Sequence, residues 1–362
     1  MSARPDRLAR CRAALEPLRL DAIVVTDPFD VRYLSGFRGE DTILVVGREV
    51  ALIVTDSRYF EQVHEEVGDF ELVESAADGL LAQTAAAASE RLGAACLLGY
   101  QSGALTYAAF RALRRAHGGR LKDVRRRVTR LRMVKEAAEI EAIRRAAALV
   151  DLALAVVVAE GFVGRTEREI AWRLREEFHE RGAEDEAFPT IVATGDHGAQ
   201  GHAIPGERRV VPGELVVIDC GARVDGYCSD ITRTFAAGRV TKEHRRRYEL
   251  VLEAQLAGLA AVRAGAHGRD DVDAAARAVI TAAGLGERFG HGTGHGVGLE
   301  IHEAPGLGRL SGDRLAAGMV CTVEPGVYVE GDAGIRTEDT VLVTASGGER
   351  LTLYPKEMQV VD

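Results

Sequence analysis

Five cysteines, Cys11, Cys96, Cys220, Cys228 and Cys321, form no C-x-x-C pair. An odd number without close pairs argues against a disulfide framework and for reduced thiols, as in a cytoplasmic protein. The opening MSARPDRLAR lacks an apolar core, so no secretory signal is expected there. No unbroken apolar run nears the roughly 20 residues of a membrane span. The Ala-rich stretch over residues 80–98 is interrupted by Ser89, Glu90 and Arg91 and reads as a soluble helix, so no membrane association is expected. A basic excess is missing too: 46 Lys and Arg face 55 Asp and Glu, a net charge of −9. That balance excludes a general nucleic-acid binder. Two local basic runs, Arg125, Arg126 and Arg127 and then Arg245, Arg246 and Arg247, read as solvated faces.

What is present is enough chain, 362 residues, for two domains. The first third alternates strand and helix signals. Helical spacing runs over residues 5–18, and short β-branched runs lie at residues 22–25, 42–46, 50–54 and 95–98, with a helix over 102–117. This predicts an α/β domain over residues 1–128 and a second domain over 129–362. The second opens with a helix rich in Ala, Glu, Ile and Arg over residues 135–159, stopped by Gly161. Thr166 and Glu169 then have the spacing of a capping box.

The second domain reads as two copies of one pattern. One copy passes through Gly161, Thr166, a helix, and Gly213 before the strand LVVI and Asp219. The other passes through Gly265, Asp270, a helix, and Gly318 before the strand MVCTV and Glu324. A second strand in each carries another acid beside an Arg and a Thr, in DITR from Asp230 and in RTEDT with Glu338. Such repetition predicts an α+β domain with a pseudo-two-fold axis, its inner strands delivering acids to one centre.

Singly, each of these acids reads as a solvated strand end or the partner of Arg233 or Arg336. Together they are different, because four carboxylates a few ångströms apart do not all ionise without cations. The segment FGHGTGHGVGLEIHEAPG adds His291, His295 and His302, three of the ten histidines, in a Gly-rich run that lets ligands approach closely. It is neither a clean G-x-G-x-x-G dinucleotide loop nor an H-E-x-x-H zinc helix. One imidazole with four carboxylates suits two divalent ions such as manganese or cobalt better than a thiolate-type zinc site. Two such ions lower the pKa of a shared water and make it a nucleophile. Cys220 and Cys228 read as small core residues beside the acids.

The stretches VVIDCGA, GYCSDITRTF, GTGHGVGLEIHEAPG, VCTVEPGVYV and GIRTEDTVLV resemble the pita-bread metallopeptidases, nearest to Xaa-Pro aminopeptidases and prolidases. The earlier RLARCRAALEPLRLDAIVV, VRYLSGF and TDSRY resemble the creatinase-type N-terminal domain of the same proteins. The resemblance implies that Asp219 chelates one metal, that Asp230 and Glu338 bridge two, and that His295 and Glu324 complete the second. Glu324 would also act as general base toward a bridging hydroxide's proton. His302 would steady the tetrahedral intermediate, His202 would stand near the substrate carbonyl and proline, and His291 would line the proline pocket. Arg336 would support the bridging carboxylates. Manganese is the metal expected, with cobalt or zinc as substitutes, the substrate is a peptide with proline second, and a homodimer is implied. Relatives often carry Pro where Gly201 precedes His202, which leaves that loop's shape open.

Three other readings compete. A methionine aminopeptidase shares the second domain but not the first. A creatinase-like amidinohydrolase shares both but dispenses with the metal ligands, and a catalytically inactive binding protein on this fold loses them. The full set of five ligands favours the peptidase.

Overall fold

The structure is a computed structural model describing residues 4–76 and 79–362. The chain divides into two compact units, Met1–Arg132 and Met133–Asp362.

The first unit holds helices α1 (Arg4–Leu15), α2 (Pro28–Ser35), α3 (Phe60–Glu66), α4 (Leu80–Leu92) and α5 (Tyr107–His117). Its strands are β1 (Ala22–Val25), β2 (Ile43–Gly47), β3 (Ala51–Asp56), β4 (Glu71–Ser75), β5 (Leu97–Tyr100) and β6 (Arg120–Asp123). They form one mixed sheet in the order β4-β3-β2-β1-β5-β6. Strands β1 and β2 are buried along their whole length, which is why they read as continuous β-branched runs without alternation. The expected helix over 102–117 begins only at Tyr107, because the Thr106 hydroxyl accepts the Ala109 N–H and caps it there.

In the second unit come α6 (Ala137–Ala159) and α7 (Glu167–Glu180), then β7 (Asp185–Glu186), β8 (Ile191–Thr194), β9 (Leu215–Cys220), β10 (Ala222–Val224), β11 (Tyr227–Cys228) and β12 (Ile231–Ala237). The chain continues through α8 (Lys242–Ala261), α9 (Ala274–Ala282), β13 (Gly294–Gly296), β14 (Glu303–Leu307), β15 (Val320–Val323), β16 (Gly326–Val329), β17 (Ala333–Arg336), β18 (Asp339–Val343), β19 (Gly348–Arg350) and β20 (Val360–Val361). A capping box of Glu136 and Glu139 starts α6, and the Thr166–Glu169 box starts α7. The basic run at 245–247 lies in α8, where Arg247 is buried and paired with Asp332 at 2.5 Å.

The two-copy pattern is visible in the sheets. One has the order β20-β12-β9-β8 and the other β14-β13-β15-β18-β19. The central pairs β9–β12 and β15–β18 are both antiparallel. Ahead of each, a glycine adopts a left-handed conformation, Gly213 at φ 100° and Gly318 at φ 88°. Each glycine donates its N–H to the far end of the paired strand, Gly213 to Ala237 O and Gly318 to Val343 O. A side chain there would strain the turn that sets the register. The second copy departs from the first before α9, where Gly268–Asp273 forms a wider helical turn. Asp270 lies exposed there, paired with Arg269, and caps nothing.

Two sequence expectations need correction. Asp230 and Glu338 are not inside continuous strands; each sits in a short unpaired link, before β12 and between β17 and β18. The reason is tertiary. Strand β17 pairs with β16 while β18 pairs with β15, so the chain changes sheets at Thr337 and Glu338. The freed Glu338 N–H donates to Thr232 O of the other copy at 3.1 Å.

Apolar cores lie behind both sheets. Phe162, Phe178, Phe235 and Ile218 fill the first, and Val262, Val272, Leu315 and Val323 the second. Between them Arg233, 1% exposed, donates to Asp339 at 2.9 Å, to Tyr354 O at 2.6 Å, to Pro355 O at 2.9 Å and to Glu338 O. Lys356 reaches the same Asp339 at 2.9 Å. Removing one partner of such a buried ion pair leaves charge and carbonyls unsatisfied. Arg233→Met is therefore expected to cost about 3–5 kcal/mol, read as a lower urea midpoint for the transition that unfolds this unit. An unchanged midpoint would show the network to be dispensable.

Candidate metal centre

Asp219 occupies the next-to-last position of β9, with Ile218 and Cys220 on either side turned into the core. Strand alternation therefore points its carboxylate the other way, into a cleft of about 610 Å³. Glu324 follows β15 directly and faces the same cleft, as do Asp230, Glu338 and His295. Nδ1 or Nε2 of His295 and one carboxylate oxygen each of Asp230 and Glu338 all lie within 4.8 Å of one another. His295 Nε2 is 3.2 Å from Glu324 Oε1 and 3.5 Å from Asp230 Oδ2. Asp219 joins the group through Arg336, whose Nη2 donates to its Oδ2 at 2.5 Å.

Burial dominates the acid–base behaviour of this cluster. It pushes the carboxyls of Asp230 and Glu338 well above the usual range, helped by the neighbouring carboxylates, and raises Asp219 as well. At Glu324 burial acts the same way, but the hydrogen bond and charge of His295 override it and bring the carboxyl down to about 2. At His295 burial would lower the value, and Glu324 more than offsets it. Burial lowers both His291 and His302.

Two oxygens in the cluster, Asp219 Oδ1 and Glu338 Oε1, are buried without a hydrogen-bond partner. Orphaned buried acceptors of this kind are costly unless something positive meets them. Four acids, one imidazole and two free oxygens fit divalent cations. The four other expected residues also reach the cleft. His291 Nε2 is 3.0 Å from the Tyr328 hydroxyl, and the His302 ring stands edge-on to His295 with centroids 4.3 Å apart. His202 lines the same cleft and is exposed, and Arg336 is buried, its Nη1 3.4 Å from Gly201 O.

Several supporting residues were not singled out from the sequence. The Thr232 hydroxyl donates to Glu338 Oε2 at 2.6 Å and accepts from Arg336 Nε at 3.0 Å. The Thr322 hydroxyl accepts the His295 N–H at 3.0 Å and donates to Glu324 at 3.1 Å. Tyr328 accepts from Arg336 Nη1 at 2.6 Å and touches His291. For Thr232 a signal existed, since it recurs beside the acid in both copies. Tyr328 reads only as one residue of a strand. A buried pair, Lys135 and Glu303 at 2.8 Å, fixes the residue after His302.

Acids from both repeated sheets lining one cleft give the donor set of a divalent-metal protein. Residues 141–345 match the model of metallopeptidase family M24, and residues 7–134 match the creatinase/prolidase N-terminal domain. The chain is 35% identical to a Xaa-Pro dipeptidase of Pyrococcus furiosus over 360 residues, covering 98% of this chain and 99% of that one. Among solved structures, a Xaa-Pro dipeptidase from Bacillus anthracis is similar with a TM-score of 0.94 at 36% identity, covering 99% of both chains. An X-Pro aminopeptidase from Thermotoga maritima is similar with a TM-score of 0.87 at 34% identity, covering 98% of this chain and all of the other. The chain belongs to metallopeptidase family M24, within its pita-bread Xaa-Pro peptidase branch, and is a metal-dependent peptidase.

The protonation pattern gives a prediction. In the metal-free protein Asp219, Asp230 and Glu338 have raised carboxyl values, so their contribution to stability is complete below their unfolded values and fades as pH rises through the folded ones. His295 is raised above 6.5 and works in the same direction, while His291 and His302, lowered from 6.5, work oppositely. Glu324 loses its contribution only as pH falls toward about 2. The thermal midpoint of chelator-treated protein should therefore fall between about pH 5 and pH 8. Added manganese should raise it more at pH 8 than at pH 5, because protons compete less for the carboxylates as pH rises. A manganese effect equal at both pH values would contradict the placement of these acids at one ion site.

Proposed function

We propose that the chain hydrolyses the bond between an N-terminal residue and a proline at position two, at a two-ion centre held by Asp219, Asp230, His295, Glu324 and Glu338. The observation that carries this is one cleft lined by four acids and His295, with Asp230, Glu338 and Glu324 gathered around the imidazole and two oxygens, Asp219 Oδ1 and Glu338 Oε1, left bare. Manganese suits this donor set, with cobalt or zinc able to replace it. The names of the similar proteins, Xaa-Pro dipeptidase and X-Pro aminopeptidase, support proline specificity.

The bound ions would supply an ionised water at neutral pH and polarise the scissile carbonyl. Glu324, ionised beside His295, receives the proton of the attacking water. His302 donates toward the developing oxyanion, where a placed hydrogen bond is worth most. His202 contacts the carbonyl side of the substrate. His291 and the apolar residues Phe188, Pro189 and Ile301 of the cleft pack around the proline ring. The substrate's imide nitrogen has no hydrogen, so no acceptor is needed there. Arg336 holds Asp219 directly and Glu338 through Thr232, which keeps both carboxylates aimed when an ion leaves. By family analogy the protein acts as a homodimer, and its five free, buried cysteines fit the reducing cytoplasm.

Ala-Pro and Ala-Pro-Ala, each with manganese and with chelator, test the proposal. Cleavage of Ala-Pro alone marks a prolidase, and cleavage of the tripeptide an aminopeptidase. Asp230→Asn is expected to lose bound manganese and at least about 10³-fold in kcat, the scale of removing a main electrostatic element of catalysis. Retention of metal without cleavage of either peptide would defeat the proline assignment and favour a binding protein.

A further inference from the structure

Residues 195–206 link β8 toward β9 and carry His202, Ala203, Ile204 and Pro205 into the cleft wall. Both ends of this loop meet one side chain. Glu167, the first residue of α7 and 0% exposed, accepts the Thr194 N–H at 2.9 Å and the Gly206 N–H at 3.0 Å. Within the loop, His197 brings Nδ1 to 2.8 Å and 2.9 Å from the two Glu167 oxygens. Backbone bonds from Glu167 N–H to Arg208 O and from Arg168 N–H to Gly206 O dock the returning limb on the same helix end. The other flank rests on β17, where a Cβ added to Gly334 would lie 1.8 Å from Gly198 O.

A buried carboxylate is costly unless fully bonded, and these contacts all lead to the loop. An acid whose only task was to complement the α7 dipole would stay at the surface and need none of them. We infer that Glu167, with His197, is a positioning residue: it closes the base of the 195–206 loop and so sets where His202 stands against the substrate. The inference rests on the substrate role proposed above for His202. It assigns Glu167 no part in holding ions.

The test uses the full chain with manganese and whichever proline peptide the wild type cleaves. Glu167→Ala should lower kcat/KM by about tenfold to a hundredfold, the scale of a misplaced binding group, mainly through KM, with manganese content unchanged. His197→Ala should act in the same direction, and His197→Asn, which keeps a donor, should restore most of the loss. Because Glu167 acts through His202, the Glu167→Ala/His202→Ala double variant should match His202→Ala alone within about twofold. Amide exchange over residues 194–206 should quicken in Glu167→Ala. If that variant does not fold, His197→Ala decides by the same readouts. Wild-type kinetics with unchanged exchange, or losses that multiply in the double variant, would overturn the inference. If the wild type cleaves no proline peptide, the functional proposal fails on its own; exchange over 194–206 still decides the clamp, faster supporting it and unchanged overturning it.

Discussion

Mutual repulsion among four carboxylates in one cleft, three of them buried, is the constraint around which the second unit is built. Two unit charges 4 Å apart repel by about 4 kcal/mol at the effective dielectric of a protein. Asp219, Asp230, Glu324 and Glu338 share one cleft, and the positive groups among them are Arg336 and His295. Without ions, protons must take up the difference, which is the direction in which Asp230 and Glu338 move. Collapse of the cluster is prevented from below. Arg233, Asp339 and Lys356 form a buried network under Glu338, so the strands stay in place whether or not the cage is filled.

The two copies exchange support at their crossing. Thr232 of the first copy donates its hydroxyl to Glu338 of the second, and Thr340 of the second donates to Asp230 O of the first at 2.7 Å. Neither copy could aim its own acid alone, because each acid lies in a link that has left its sheet. The site thus depends on both sheets being formed, with Asp219 aimed by a β-ladder and the two links held by hydrogen bonds from the other copy.

This explains which features were legible in the sequence. An acid that ends an apolar strand, as Asp219 and Glu324 do, breaks a local pattern and stands out. The repeat made Asp230 and Glu338 visible for the same reason. What was hidden depends on pairing across the chain. The change of sheet at Thr337 and Glu338 leaves no local mark, so GIRTEDTVLV, residues 334–343, reads as one strand. Tyr328 carries no mark within VCTVEPGVYV until Arg336 and His291 are seen against its hydroxyl. Glu167 looks like an ordinary first-turn acid, since its partner His197 lies thirty residues away.

The cleft walls follow a rule that the cage does not. In the first copy, Glu167 at the start of α7 receives the Thr194 N–H and anchors the loop bearing His202. In the second copy, Asp273, immediately before α9, receives the Thr293 N–H at 3.0 Å and its hydroxyl at 2.9 Å. Arg277 pairs with Asp273 and donates to His291 O at 2.7 Å, which secures the Gly-rich segment bearing His291 and His295. An acid on a helix thus holds a histidine-bearing segment in each copy, Glu167 from the first turn of α7 and Asp273 from the junction of the wider turn with α9. Strand ends and the links between strands carry the ion-facing acids, whereas acids on helices hold the histidine-bearing walls. Around Glu167 substrate fit can therefore change while the cage stays as it is, whereas the Asp273–Arg277 clamp serves both, because its segment also bears His295.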